Sequence, residues 1–114
     1  MLLDDLLKEL ETLKNSKKVI LVEGKKDQLV LEKFGIKSIT LKKPLFSVVE
    51  TIEKECIILT DLDKEGRRLY SILRKNLEKR KVKIDNRFRV FLIKRTKLKQ
   101  IEGLDTYIKN LQKP

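Results

Sequence analysis

Short apolar runs, each broken off at once by charged residues, alternate along this chain with stretches of helical periodicity. Lys18 to Val22 (KVILV) and Cys56 to Thr60 (CIILT) show no alternation of apolar and polar positions. Continuous runs of that length suit strands buried on both faces. Ile36 to Leu41 and Arg89 to Ile93 are weaker runs that predict a second and a fourth strand. Between them lie the helices. Leu2, Leu3, Leu6, Leu7, Leu10 and Leu13 recur at helical spacing and predict an amphipathic helix ending near Asn15-Ser16. Lys26 to Phe34, with Leu29, Val30 and Phe34 on one side, predicts a second helix stopped by Gly35. Pro44 opens a third, running to about Glu55 with Val48, Val49 and Ile52 inward. Glu65 to Lys81 follows, with Leu69, Ile72, Leu73 and Leu77 on one face, and Ile101 to Leu111 closes the series.

Helices alternating with doubly buried strands predict an α/β fold. The expected form is a Rossmann-like three-layer sandwich: a mainly parallel four-stranded sheet in the order 2-1-3-4, with helices on both faces. At 114 residues the chain suits one hydrophobic core. The expected organisation is a single domain over 1–114, in which an N-terminal helix (1–16) covers a core (18–100) and a helix (101–111) ends it. Ligands of such sheets bind beyond the carboxyl ends of the strands, where the winding reverses. In a 2-1-3-4 order, the loops after Val22 and Thr60 meet there.

The surface is strongly ionic and of one dominant sign. Lys and Arg number 28 against 17 Asp and Glu, a formal charge of +11. That excess favours an anionic partner, nucleic acid before membrane or acidic protein. A Lys/Glu-rich surface of a heat-adapted protein accounts for the charge density but less well for its sign. One Cys and no His exclude a disulfide framework, zinc-finger spacing and a Ser-His or Cys-His catalytic pair. Cys56 opens an apolar run and reads as a small buried residue. Asp4, Asp5, Glu9 and Glu11 interrupt the N-terminus, and no 18-residue apolar run follows. The expectation is a cytoplasmic protein without a membrane segment.

Both strong strands run into carboxylates. VILVEGKKD (19–27) places Glu23 and Asp27 after the first strand, and CIILTDLDKEG (56–66) places Asp61, Asp63 and Glu65 after the third. Two unit charges 4 Å apart repel by about 4 kcal/mol at an effective dielectric near 20. A bound cation must offset that repulsion, or one group must hold a proton. Oxygen ligands without Cys or His favour a hard cation, Mg2+ first and Mn2+ as its substitute. Plainer readings exist. Lys25, Lys26 and Lys64 could neutralise the acids, or Asp61 and Asp63 could cap the following helix. Neither accounts for acids at equivalent ends of two strands. DLDKEG begins like a calcium-binding EF-hand loop, but Ile72 stands where the bidentate Glu belongs. EGKK lacks the upstream glycine and the Ser/Thr of a P-loop. A phosphatase of the D-x-D kind normally carries its nucleophile after the first strand, and this pair follows the third.

An apolar strand running into Glu-Gly with Asp beyond, then a later strand running into Asp-x-Asp-x-x-Gly, resembles the Toprim domain of primases, topoisomerases and ribosomal RNA maturases. Val22-Glu23-Gly24-Lys25-Lys26-Asp27 is similar to the primase and maturase motif. Thr60-Asp61-Leu62-Asp63-Lys64-Glu65-Gly66-Arg67 is similar to the topoisomerase IA motif. The resemblance spans roughly residues 18 to 100. It implies Glu23 as general acid or base, or as a metal ligand, and Asp61 and Asp63 as Mg2+ ligands. It further implies Gly24 and Gly66 as points where backbone approaches a phosphate closely. Asp105, in the GLDTYI segment, faintly resembles an acidic site of primases and reads more simply as a first-turn helix acid. The catalytic-tyrosine domain of topoisomerases and the accessory domains of primases and maturases have no counterpart here.

Basic residues supply the anion side. Lys25 and Arg67, with Arg68, adjoin the acidic loops. Lys94, Arg95, Lys97 and Lys99 follow the expected fourth strand and would then share the carboxylate rim. Arg74, Lys75, Lys79, Arg80 and Lys81 read as a solvated helix face. Aromatic residues do not interleave with basic ones, so backbone phosphates rather than unpaired bases are the expected contact. The expected function is Mg2+-dependent phosphotransfer on nucleic acid, of the nuclease or RNA-maturase kind, with RNA the expected substrate. The alternative is a catalytically silent nucleic-acid-binding module or a subunit of a larger machine, with a protein partner supplying the grip. A phosphohydrolase of small phosphates fits the charge least.

Overall fold

The computed structural model describes residues 1–41 and 45–114, without the side chains of 45 and 46. Four strands, β1 (Val19–Val22), β2 (Ile39–Thr40), β3 (Glu55–Leu59) and β4 (Lys83–Ile84), form one sheet in the order β2-β1-β3-β4. Every pairing is parallel. The expected topology holds.

Its two faces are read off β1 and β3. Ile20 and Val22 of β1, with Ile57 and Leu59 of β3, belong to one apolar cluster. Leu21, Cys56 and Ile58 point the other way into a second. Among the described residues six helices cover these faces: α1 (Leu2–Asn15), α2 (Lys25–Lys33), α3 (Leu45–Val49), α4 (Lys64–Lys79), α5 (Arg87–Arg95) and α6 (Leu104–Gln112). Leu6, Leu10 and Leu13 of α1, Leu31 of α2, Phe88 and Leu92 of α5 and Leu104 and Ile108 of α6 fill the first cluster. Val48 and Val49 of α3 and Leu73 and Leu77 of α4 fill the second. Core side chains of that size contribute about 1.5–3 kcal/mol each when fully buried. No helix among the described residues is long and apolar enough to cross a membrane.

Three expectations need correction. Arg89–Ile93 is not a strand: it lies inside α5, and the fourth strand is the two-residue Lys83–Ile84. Phe88 and Leu92, four apart, are the buried pair, a helical spacing that outweighs the local β-rich composition. On α2 the buried leucine is Leu31, and Leu29 is left 46% exposed. The third helix is short, and Ile52 is buried in the turn region after it. Pro44, its expected opening residue, lies outside the described residues. Gly35 stops α2 as expected, in the left-handed region at φ +74°.

Candidate metal centre at the sheet rim

Register places the acidic loops together. Val22 pairs with Leu59, so Glu23 and Thr60 leave the sheet at the same level. One Glu23 carboxylate oxygen accepts the Asp61 backbone N–H at 2.6 Å. That bond joins loops 38 residues apart in the chain.

Each acid has a defined anchor. Asp63 is the N-cap of α4 and accepts the Gly66 N–H at 2.8 Å. Asp27, in the first turn of α2, accepts the Gly24 N–H at 3.1 Å. Gly24 has no side chain to return the bond, so only this half of a capping box forms. Asp61 accepts the Ile101 N–H at 2.9 Å, and the Leu62 N–H donates to the Lys99 carbonyl at 2.7 Å. A 3-10 turn over Ile101–Gly103 thus closes the site from the far end of the chain. The capping reading holds for Asp63 alone. Asp61 braces this turn instead.

Electrostatics follow from the crowding. Burial raises the Glu23 carboxyl above its usual range, and the charges of Asp61, Asp27 and Asp63 add to the effect. Burial also raises Asp27, with Asp61 and Glu102 reinforcing it, and raises Asp61, with Asp63 and Glu102 reinforcing it. Asp27 is only 7% exposed. Arg89 is the countercharge that the sequence did not reveal. It is 3% exposed and donates to the Thr60 carbonyl at 2.5 Å and the Asp61 carbonyl at 3.0 Å. Its guanidinium lies 4.5 Å from the centre of the Tyr70 ring. Glu102 is the second unforeseen charge; nothing in its local sequence marks it.

The remaining expected residues divide. Gly66 is needed for packing: a Cβ there would lie 1.9 Å from the Asp61 carbonyl oxygen. Thr60, fully buried, ties the same turn by donating its hydroxyl to the Gly66 carbonyl at 2.7 Å. Gly24 is extended at φ −147° with nothing within 4 Å of a Cβ, so open space lies beside Glu23. Lys25 is exposed and donates to Gln28. Arg67 is exposed on the first turn of α4, and Glu65 is held by Arg68. Lys94 and Arg95 end a helix rather than follow a strand, and Arg95 pairs with Asp5 of α1 at 2.9 Å. Only the stretch from Lys97 to Lys99 runs back to the rim, through the Lys99 carbonyl. Asp105 is a first-turn acid of α6 paired with Lys33 and Lys109.

The donor set fits a hard cation. Glu23, Asp61 and Asp63 each give one oxygen to a backbone N–H, and among the described residues the other accepts no hydrogen bond. Among the described residues no three acids are already drawn round one point. As they stand, then, the acids offer hard oxygen donors of the type Mg2+ prefers without a preformed three-acid site.

A pH dependence follows. Carboxyls raised on folding weaken the fold when ionised, a cost fully present above the folded pKa and absent below the unfolded one. Asp61→Asn keeps an oxygen for the Ile101 N–H and removes the charge. In metal-free buffer the variant is expected to be more stable than the parent at pH 8, with the gain vanishing toward pH 4. Urea unfolding at both values measures it, and a gain independent of pH would contradict the crowding.

No protein-family model matches the chain. A UPF0292 protein of Methanocaldococcus jannaschii is 32% identical over 92% of this chain and 91% of its own length. One from Methanosarcina acetivorans is 34% identical over 96% of this chain and 82% of that protein. The solved structure of an Aquifex aeolicus protein, 36% identical, superposes with a TM-score of 0.75 over 88% of this chain and 95% of that one. With identities of that order sustained along nearly the whole chain, the protein belongs to the UPF0292 family.

Proposed function

We propose that the protein is a small cytoplasmic Toprim-like enzyme that carries out Mg2+-dependent phosphotransfer on nucleic acid, as a nuclease of the RNA-maturase kind. One observation carries the reading: acidic loops from two adjacent parallel strands are bonded to each other through Glu23 and the Asp61 N–H. Mg2+ held by Glu23, Asp61 and Asp63 would supply charge stabilisation at the phosphate oxygens. Asp61 and Asp63 hold their carboxylates on short, backbone-anchored loops, which limits their movement. Glu23, whose carboxyl burial raises above its usual range, is the group suited to pass a proton. The N-termini of α2 and α4 follow directly on the two acidic loops, and their partial positive charge favours an anion such as phosphate there.

A second reading is a catalytically silent nucleic-acid-binding module that works with a protein partner. It is favoured by Asp63's engagement as a helix cap and by the lack of a preformed three-acid cluster among the described residues. Metal binding and strand cleavage separate the two. Mg2+ or Mn2+ at about tenfold its dissociation constant is expected to stabilise the protein by about 1.4 kcal/mol through binding to the native state. The Asp61→Asn/Asp63→Asn variant is expected to lose that response. RNA incubated with Mg2+ should be cut by the parent and far more slowly by Glu23→Gln. An undiminished metal response in the double variant would sink the site. Intact RNA with a normal metal response would leave the binding module.

A further inference from the structure

Beside the acids, on the α4–α5 side of Arg89, lies a cavity of about 210 Å3 lined by Arg67, Tyr70, Ser71, Arg74, Asn86, Arg89, Val90 and Ile93. Three guanidinium groups border it, and no acid does. Arg67 depresses the Arg89 pKa by its charge, after burial itself, so the like charges act on one another. Elsewhere the arginines have partners. Arg68 pairs with Glu65, Arg87 with Glu9 and Arg95 with Asp5. Arg80 bonds the carbonyls of Val49, Glu50 and Ile52. Arg67 alone among them makes no side-chain hydrogen bond or ion pair with a described residue. Arg74 leans on the Tyr70 hydroxyl at 2.9 Å and on Glu78 at 3.3 Å, which leaves its second terminal nitrogen unengaged. Tyr70 holds the set in place, its ring under Arg89 and its hydroxyl on Arg74.

We infer that this α4–α5 groove receives the sugar–phosphate backbone of a nucleic acid strand, at a phosphodiester neighbouring the one presented to the carboxylates. The inference rests on the nucleic-acid reading above and moves the main contact away from Lys94–Lys99. Guanidinium groups bind phosphate through two parallel N–H bonds, which fixes its position as well as its charge. Asn86 and Ser71 offer further polar groups at the wall. Val90 and the 44% exposed Ile93 give the sugar an apolar edge. The volume matches one sugar–phosphate unit, and a flexible single strand, free to turn a phosphodiester into it, is the expected occupant. Arg89 joins the two sites physically: it holds the carbonyls of Thr60 and Asp61 at the acid loop and forms one wall of the groove.

Thiol protection tests it. Cys56 is fully buried and its thiol is pushed up to about 12 by burial, so an introduced cysteine would be the reactive one. Ser71→Cys puts a thiol in the groove, and Asn110→Cys puts one on the exposed side of α6. Binding of a short fluorescent single-stranded RNA is first measured by anisotropy with each protein. Iodoacetamide labelling is then followed with and without that RNA at about tenfold its dissociation constant. The expected result is labelling of Ser71→Cys slowed on the order of tenfold, with Asn110→Cys unchanged. RNA that binds while leaving Ser71→Cys unprotected, or protecting both thiols equally, overturns the groove and leaves the nucleic-acid reading standing. RNA that does not bind at all overturns both.

Discussion

Gly66→Ala is expected to lower folding stability by about 3 kcal/mol or more, at the upper end of what overpacking costs. The added Cβ would stand 1.9 Å from the Asp61 carbonyl oxygen, 2.4 Å from its carbon and 2.7 Å from the Asp61 Cα. All three are backbone atoms, so no side chain can swing away to make room. The same turn is fastened by the Thr60 hydroxyl on the Gly66 carbonyl and by the Gly66 N–H on Asp63, so relief would break one of these bonds. Gly24→Ala is the matched comparison. Its Cβ meets nothing within 4 Å, at an extended backbone any residue adopts, and an alanine N-cap costs about 1 kcal/mol more than glycine. Urea midpoints of the two variants should therefore differ widely. Equal midpoints would mean that the β3–α4 turn is not packed as described. If Gly24 serves phosphate approach, its alanine variant should lose RNA affinity while keeping its fold.

Arg89→Leu is the second large effect, expected to cost about 3 kcal/mol or more. Leucine retains most of the apolar volume and abandons two carbonyls, each worth about 1–3 kcal/mol when left buried without a donor. It also removes the positive charge that opposes the rise in the Asp61 pKa. The loss should accordingly shrink on acidification, once Asp61 is protonated and no longer needs a countercharge. Arg89→Lys separates the two contributions. One ammonium keeps the charge but cannot reach both carbonyls with a planar fork, so the pH dependence should recover while much of the stability does not. Unfolding of all three proteins at pH 5 and pH 8 measures this. A parent-like Arg89→Leu would remove the residue from any central role.

Much of the rim was legible because continuous apolar runs and the acids after them are properties of neighbouring residues. Val19–Val22 and Glu55–Leu59 stand out in any window of the sequence, and their doubly buried character places β1 and β3 at the centre of the sheet. The fourth strand was hidden by its length. Two residues, Lys83 and Ile84, leave no periodicity, whereas the RVFLI stretch imitates a strand through its β-branched and aromatic content. A strand there would put Lys94 and Arg95 on the rim and Arg89 at its first position, whereas in α5 the pair ends a helix and Arg89 is buried behind the acid loop. A buried arginine carries no local signature: its role comes from carbonyls 28 and 29 residues away. The Leu29-for-Leu31 exchange on α2 has a similar source. In nine residues both apolar faces are plausible, and the choice is made by α6 and the 3-10 turn packed against that helix.

The closure of Asp61 by the Ile101 N–H has a consequence for synthesis. Glu23 and Asp61 are 38 residues apart, Thr60 and Arg89 29, and Asp61 and Ile101 40. A chain elongated only to residue 100 therefore carries both acidic loops and the buried arginine, but no donor for the Asp61 carboxylate. A domain generally folds as a unit, so a chain held at that length would gather its sheet and acids without the final brace. The nascent protein would pass through a stage in which its most crowded negative charge is its least restrained. Any cation affinity of the acidic loops would then depend on the 3-10 turn over Ile101–Gly103 having reached Asp61.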